Sequence, residues 1–124
     1  MTMAQANKKV VFVGSVMGDD KECLLRYCAA NCLVSSSEGM PISLLEAMAY
    51  GKPCIVTDIP AIREIVCDDW ALWSTVGDVR SLARQMTRFE SGDWCSNADV
   101  ASYVAMHHSW HSIAEQYVHY VSSL

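Results

Sequence analysis

Strand-like and helix-like segments take turns along this chain, and that alternation constrains it more than any other feature. Lys8 and Lys9 lead into Val10-Val11-Phe12-Val13 and then Gly14, a β-branched apolar run stopped by glycine, as expected of a strand buried on both faces. Asp19 and Asp20 are placed to cap a helix running to about Ala30, with Cys23, Leu24, Tyr27 and Cys28 at helical spacing. Cys32-Leu33-Val34 reads as a second strand, ended by Ser35-Ser36-Ser37. Pro41 opens a helix carrying Ile42, Leu44, Leu45, Met48 and Ala49, and Gly51 closes it, the usual placement of proline at a helix start and glycine past its end. Pro53-Cys54-Ile55-Val56-Thr57 is a third strand, followed by a short helical turn near Pro60 to Ile65 and a fourth strand at Ala71 to Ser74. Helices at Asp78 to about Phe89, about Asn97 to Ala105, and Trp110 to Ser122 capped by Ser109 complete the chain.

Such alternation predicts an α/β domain: a three-layer, Rossmann-like parallel sheet with flanking helices. A complete doubly wound sheet has about five or six strands, so the four readable here predict part of a larger domain. The length of 124 residues suits one domain. Residues 1–7 read as a flexible N-terminal segment and residues 8–124 as the folded unit.

Charge narrows the function classes. With 9 Lys+Arg against 14 Asp+Glu, the formal charge is -5, which leaves no basic field for a nucleic-acid backbone. Apolar stretches such as Val10 to Val13 fall far short of the ~20 residues that cross a bilayer. Met1 to Asn7 lack the apolar core of a signal peptide, and the expectation is a cytoplasmic protein. Six cysteines without a C-x-x-C pair are then expected to be buried free thiols.

Chemistry concentrates in Ser35-Ser36-Ser37-Glu38-Gly39-Met40-Pro41-Ile42-Ser43-Leu44-Leu45-Glu46. The segment joins a strand to a helix at the carboxyl end of a parallel strand, where open α/β sheets bind ligands. First-turn amides lack internal partners and carry the positive end of the macrodipole, so a diphosphate suits the backbone near Ile42, Ser43 and Leu44. Gly39 permits close backbone approach, and Ser43 offers a hydroxyl. At ~1.5 Å of rise per residue, Glu38 and Glu46 can lie on the order of 10 Å apart. Carboxylates accept hydrogen bonds from sugar hydroxyls and repel phosphate, so the pattern fits a nucleotide sugar. Spacing alone equally describes Glu38 as a solvated loop residue and Glu46 as a carboxylate favoured by the helix dipole.

The string EGMPISLLEAMAYGKPCIVTDIPAIREIV resembles the C-terminal half of family-4 type retaining glycosyltransferases of the GT-B fold, the group 1 transferases, including their Glu, seven residues, Glu motif. VVFVGSV, RYCAANCLVSSS, VGDVRSLARQM and SWHSIAEQYVHYV resemble further segments of that half, so the likeness extends from Lys9 onward. The resemblance implies that Glu38 contacts the donor sugar and acts as the catalytic carboxylate. It implies that Glu46 bonds the ribose, and that Gly39, Met40, Pro41, Ile42, Ser43 and Leu44 hold the sugar and diphosphate through the main chain. It implies no cofactor beyond the donor substrate and no metal. It further implies an Arg and a Lys before the strand at Val10 and an N-terminal acceptor-binding domain as partner. Neither is within these residues, so an incomplete GT-B C-terminal domain, inactive by itself, is expected. Polysaccharide or glycolipid synthesis at the cytoplasmic membrane face follows from the same resemblance. A non-catalytic nucleotide-sugar-binding module and a sugar-nucleotide epimerase of the same fold remain open.

Other residues are expected to be structural. His107, His108, His111 and His119 lack a Cys or carboxylate at ligand spacing and read as surface or packing residues. Trp70, Trp73, Trp94 and Trp110 read as packing residues. Asp58 and Glu64 read as caps or as ion-pair partners of Arg63. Arg80, Arg84 and Arg88 form a charged helix face opposite Val79, Leu82, Ala83 and Met86, with peripheral contact to anionic head groups as the further reading.

Overall fold

The computed structural model describes residues 10–94 and 99–124. The expected flexible segment 1–7, Cys95 and the expected helix start at Asn97 lie outside the described residues. The element order is α1 (Gly18–Tyr27), β1 (Asn31–Leu33), α2 (Ile42–Ala49), β2 (Cys54–Thr57), α3 (Pro60–Arg63), a 3-10 turn (Asp68–Trp70), β3 (Ala71–Ser74), α4 (Val79–Ser91), α5 (Val100–His107) and α6 (Trp110–Ser122).

The three strands form one parallel sheet in the order β1-β2-β3, with Cys32 opposite Ile55 and Ile55 opposite Leu72. All four residues of β2 are buried, so the burial on both faces expected of Val10–Val13 belongs instead to this central strand. Strand alternation then divides the layers. Cys54, Val56 and Ala71 join Leu44, Leu45, Ala47 and Met48 of α2, with Ile62 and Val104, in the main core cluster. Ile55, Thr57, Leu72 and Ser74 face the other way and are also buried, on the side where α4 meets β2 and β3. A three-layer α/β arrangement results.

Several local readings change. Val10–Val13 forms no strand and stays exposed, Phe12 at 71%. Apolar β-branched composition supplies a tendency, but a strand exists only where a neighbouring edge pairs with it, and β1 pairs with β2 alone among the described residues. Asp19 and Asp20 lie inside the first turn of α1 and cap nothing, because the helix begins at Gly18 behind Met17. They remain favourably placed for the dipole. Cys23, Leu24 and Tyr27 are exposed, and α1 buries no residue completely.

The cysteines divide for the same reason. Cys54 is buried in β2, and burial pushes its thiol up to about 12. Cys23, Cys32 and Cys67 are exposed and Cys28 is half-buried, all of them free. The expectation of buried thiols therefore holds for Cys54 and fails for these others, which fall on the outer side of α1, the uncovered face of the edge strand and a turn.

Helix ends were better specified. The Asp78 side chain accepts the Ser81 N–H at 3.0 Å, Asp99 that of Ser102 at 3.1 Å and Ser109 that of Ser112 at 3.1 Å. Gly92 closes α4 at φ 79°, a left-handed cap that glycine takes without strain. The rotation of α4 differs from the expected one. Ser81 is buried and its hydroxyl accepts the Thr75 N–H at 2.9 Å, turning Val79, Ala83 and Met86 outward.

Leu44 is 0% exposed in the core whereas Ile42, two residues earlier, is 56% exposed. Leu44→Ala should lower the unfolding free energy by about 3 kcal/mol in denaturant titrations. Ile42→Ala should change it by less than about 0.5 kcal/mol.

Candidate functional site

The carboxyl ends of the parallel strands hold the loop from Val34 to Pro41, and one side chain fixes that loop to the sheet. Thr57, the last residue of β2, is buried, and its hydroxyl donates to the Ser35 carbonyl at 2.6 Å while accepting the Ser35 N–H at 3.0 Å. The side chain thus continues the β1–β2 pairing after the backbone ladder has ended at Leu33 and Val56. Ser35 Oγ then donates to the Ser37 carbonyl at 2.8 Å, tightening the turn that delivers Glu38.

Glu38 is half-buried and Gly39 exposed. Gly39 has an ordinary φ, and among the described residues no atom beyond its chain neighbours lies within 4 Å of where a Cβ would stand, so the space beside it is open. Met40, Ile42 and Ser43 are exposed, while Pro41 and Leu44 are buried. Leu44 can therefore face a ligand only through its backbone.

Those backbone groups are partly committed. The Ile42 N–H donates to the Met40 carbonyl at 2.9 Å, and the Leu44 and Leu45 N–H groups donate to the Pro41 carbonyl at 3.1 and 3.2 Å. Of the first-turn amides of Ile42, Ser43 and Leu44, only that of Ser43 makes no backbone hydrogen bond with the described residues. The exposed hydroxyl and free amide of Ser43 are the donors that the start of α2 presents.

Glu46 stands in the second turn of α2, just under one turn beyond Ser43. Its carboxylate meets the Lys21 ammonium of α1 at 3.2 Å through Oε2 and 3.3 Å through Oε1. Lys21 was not singled out in the sequence, since it lies 25 residues from Glu46 and no local spacing connects the two. Glu46 also borders a cavity of about 350 Å³ lined by Met40, Ile42, Leu45, Val104 and Trp110. Trp110 is 87% exposed at this rim, so the expected packing role does not apply to it. Trp70 and Trp73 do pack, half-buried against the core.

Comparison with known protein families matches residues 2–105 to the family described as glycosyl transferases, group 1. The chain belongs to that family. No curated protein matches it. For this group 1 glycosyl transferase chain, sugar transfer is thus the family chemistry, and the parallel α/β architecture agrees with a Rossmann-like half of a GT-B enzyme.

The remaining polar candidates occupy other places. The Arg63 guanidinium donates to both Asp58 carboxylate oxygens, at 2.7 and 2.9 Å, and also pairs with Asp68. It lies 3.7 Å from the Trp73 ring centroid, a stacked, bidentate geometry that suits arginine. Asp58 is therefore an ion-pair partner, as expected, whereas Glu64 makes no ion pair among the described residues. Tyr103 meets Trp70 edge to face with ring centroids 4.6 Å apart, and its ring lies 4.4 Å from that of His107 and 5.8 Å from that of His108, so both histidines pack. His111 meets Glu115 at 3.2 Å on the surface. Arg80, Arg84 and Arg88 are exposed along α4, and no helix among the described residues is long and apolar enough to cross a membrane.

Thr57→Val removes the hydroxyl at nearly constant volume and leaves both Ser35 backbone groups without their partner. Unfolding free energy should fall by about 1–2 kcal/mol and Ser35 amide exchange should accelerate, with Thr57→Ser retaining most of both. The hydrogen bond from Arg63 holds the Asp58 carboxyl below its ordinary value. A depressed carboxyl stabilises above its unfolded pKa, and that contribution disappears as pH falls through the folded one. NMR titration of Arg63→Ala should return Asp58 to the ordinary carboxylate range.

Proposed function

We propose that this chain is the donor-binding part of a group 1 glycosyl transferase, taking a nucleotide diphosphate sugar at the loop and helix between Glu38 and Glu46. The observation that carries the reading is the placement of two carboxylates on either side of an exposed Ser43 amide and hydroxyl, at the carboxyl end of a parallel sheet. Carboxylates accept from vicinal hydroxyls and repel phosphate, while a helix start favours it. The donor would therefore lie with its ribose toward Glu46, its diphosphate toward Ser43 and the Gly39–Leu44 backbone, and its transferred sugar toward Glu38.

In the reaction, the bond from the sugar's anomeric carbon to the β-phosphate oxygen breaks, and a bond from the same face to an acceptor hydroxyl forms. The hydroxyl proton passes to the departing phosphate oxygen. Configuration is retained without a covalent sugar adduct, and Glu38 orients the sugar and stabilises the positive charge that develops on it. The chemistry needs no cofactor besides the donor. A separate N-terminal domain would bring the acceptor, a growing polysaccharide or a lipid-linked glycan on the cytoplasmic side of a membrane. The exposed arginine face of α4 suits peripheral contact with that surface.

Calorimetric titration of nucleoside diphosphates and nucleotide sugars into these 124 residues should give weak binding, with dissociation constants above the micromolar range and no measurable transfer, because neither the acceptor domain nor the basic phosphate ligands expected ahead of Val10 are supplied. Glu46→Ala should lower affinity for the nucleotide about tenfold, and Glu38→Ala should remove only the preference for the sugar-linked form. Micromolar or tighter binding, or a glycosyl ester trapped on Glu38 in a full-length enzyme, would overturn the corresponding assignment.

A further inference from the structure

The two-pronged contact between Lys21 and Glu46 joins a helix that buries no residue of its own to the helix that carries the candidate donor site. Both side chains remain partly open to solvent, Lys21 at 47% and Glu46 at 33%. Exposed pairs of this kind contribute little to stability. A second lysine also anchors α1 mechanically: Lys52 Nζ donates to the Arg26 carbonyl at 2.7 Å, at the end of α1 where its dipole is negative. Leu25 packs against the core from the same helix. Tethering therefore does not account for the place of Lys21.

Electrostatics does. Without Lys21, an anionic ligand approaching the start of α2 would meet two carboxylates and no cation from this segment. Glu46 lies three residues beyond Ser43, a rise of about 4.5 Å along the helix, well inside the ~10 Å screening distance at moderate salt. A charge at Glu46 is therefore felt at the Ser43 amide.

We propose that Lys21 is a positioning residue of the donor site. It holds the Glu46 carboxylate by both oxygens and supplies the local counter-charge that lets a nucleoside diphosphate bind beside it. The assignment rests on the donor-site reading given above and goes beyond it by naming a residue from α1 that sets affinity for the diphosphate. Lys21 acts through Glu46, so its effect should depend on ligand charge and on salt. A merely structural lysine would affect charged and uncharged ligands alike.

The test is NMR titration of the full chain with a nucleoside diphosphate and with the matching uncharged nucleoside, at low and high salt. Lys21→Met should weaken diphosphate binding about tenfold at low salt, with the loss shrinking as salt rises and the nucleoside changing by less than about twofold. Lys21→Arg should restore diphosphate binding. In a Glu46→Gln background the further change Lys21→Met should cost much less diphosphate affinity than in the unsubstituted chain, because no uncompensated carboxylate is left. Unchanged diphosphate binding in Lys21→Met, or equal losses for both ligands at every salt concentration, would overturn the assignment while leaving the donor site in place. Failure of the unsubstituted chain to bind either ligand would overturn the donor reading and this assignment together.

Discussion

Everything in this domain hangs on a four-residue strand that has no solvent-facing side. β2 is paired on both edges, by β1 and β3, and covered on both faces. Its even and odd residues each need a helical layer, and α2 and α4 supply them. The arrangement explains why α2 devotes Leu44, Leu45, Ala47 and Met48 to the core, leaving Ile42, Ser43 and Glu46 for other purposes. Core packing sets the rotation of α2 about its axis, and that rotation points the candidate ligand groups outward.

The same strand also sets the loop. Thr57 ends β2 with a hydroxyl that both gives and takes a hydrogen bond at Ser35, so the polypeptide leaves the sheet at a fixed point. A valine there would fill the volume and lose the join. Buried polar groups require partners, and here the requirement is met by the loop that leads to Glu38. The burial of a single hydroxyl thus couples sheet stability to the geometry of the candidate site.

Charge is distributed with similar economy. Among the described residues no cluster of basic side chains surrounds the site, in keeping with a chain of formal charge -5. Lys21 is brought to Glu46 from α1, and Arg63 neutralises Asp58 beyond the end of β2 while lying against Trp73. These pairs leave the mouth of the parallel sheet less negative than the sequence suggests. An anion-binding site can then rest on amides and hydroxyls.

The sequence by itself determined the alternation of elements, the strand at Cys54–Thr57, the helix start at Asp78, the cap at Ser109, and the Glu38–Glu46 segment with its family likeness. All of these are written in neighbouring residues, where periodicity, capping chemistry and motif spacing act over one or two turns. Tertiary structure decided what depends on distant partners. Val10–Val13 has the composition of a strand and pairs with no edge among the described residues. α4 is turned by the bond between the Ser81 hydroxyl and the Thr75 amide, and exposed cysteines lie where spacing had placed an apolar face. Two of the expected anion-facing amides are taken by Met40 and Pro41 carbonyls, because a proline turn folds back on itself before the helix starts. Lys21 reaches Glu46 across 25 residues. Such a contact is fixed by where Leu25 and the Lys52–Arg26 bond hold α1, and no local pattern in the chain encodes it.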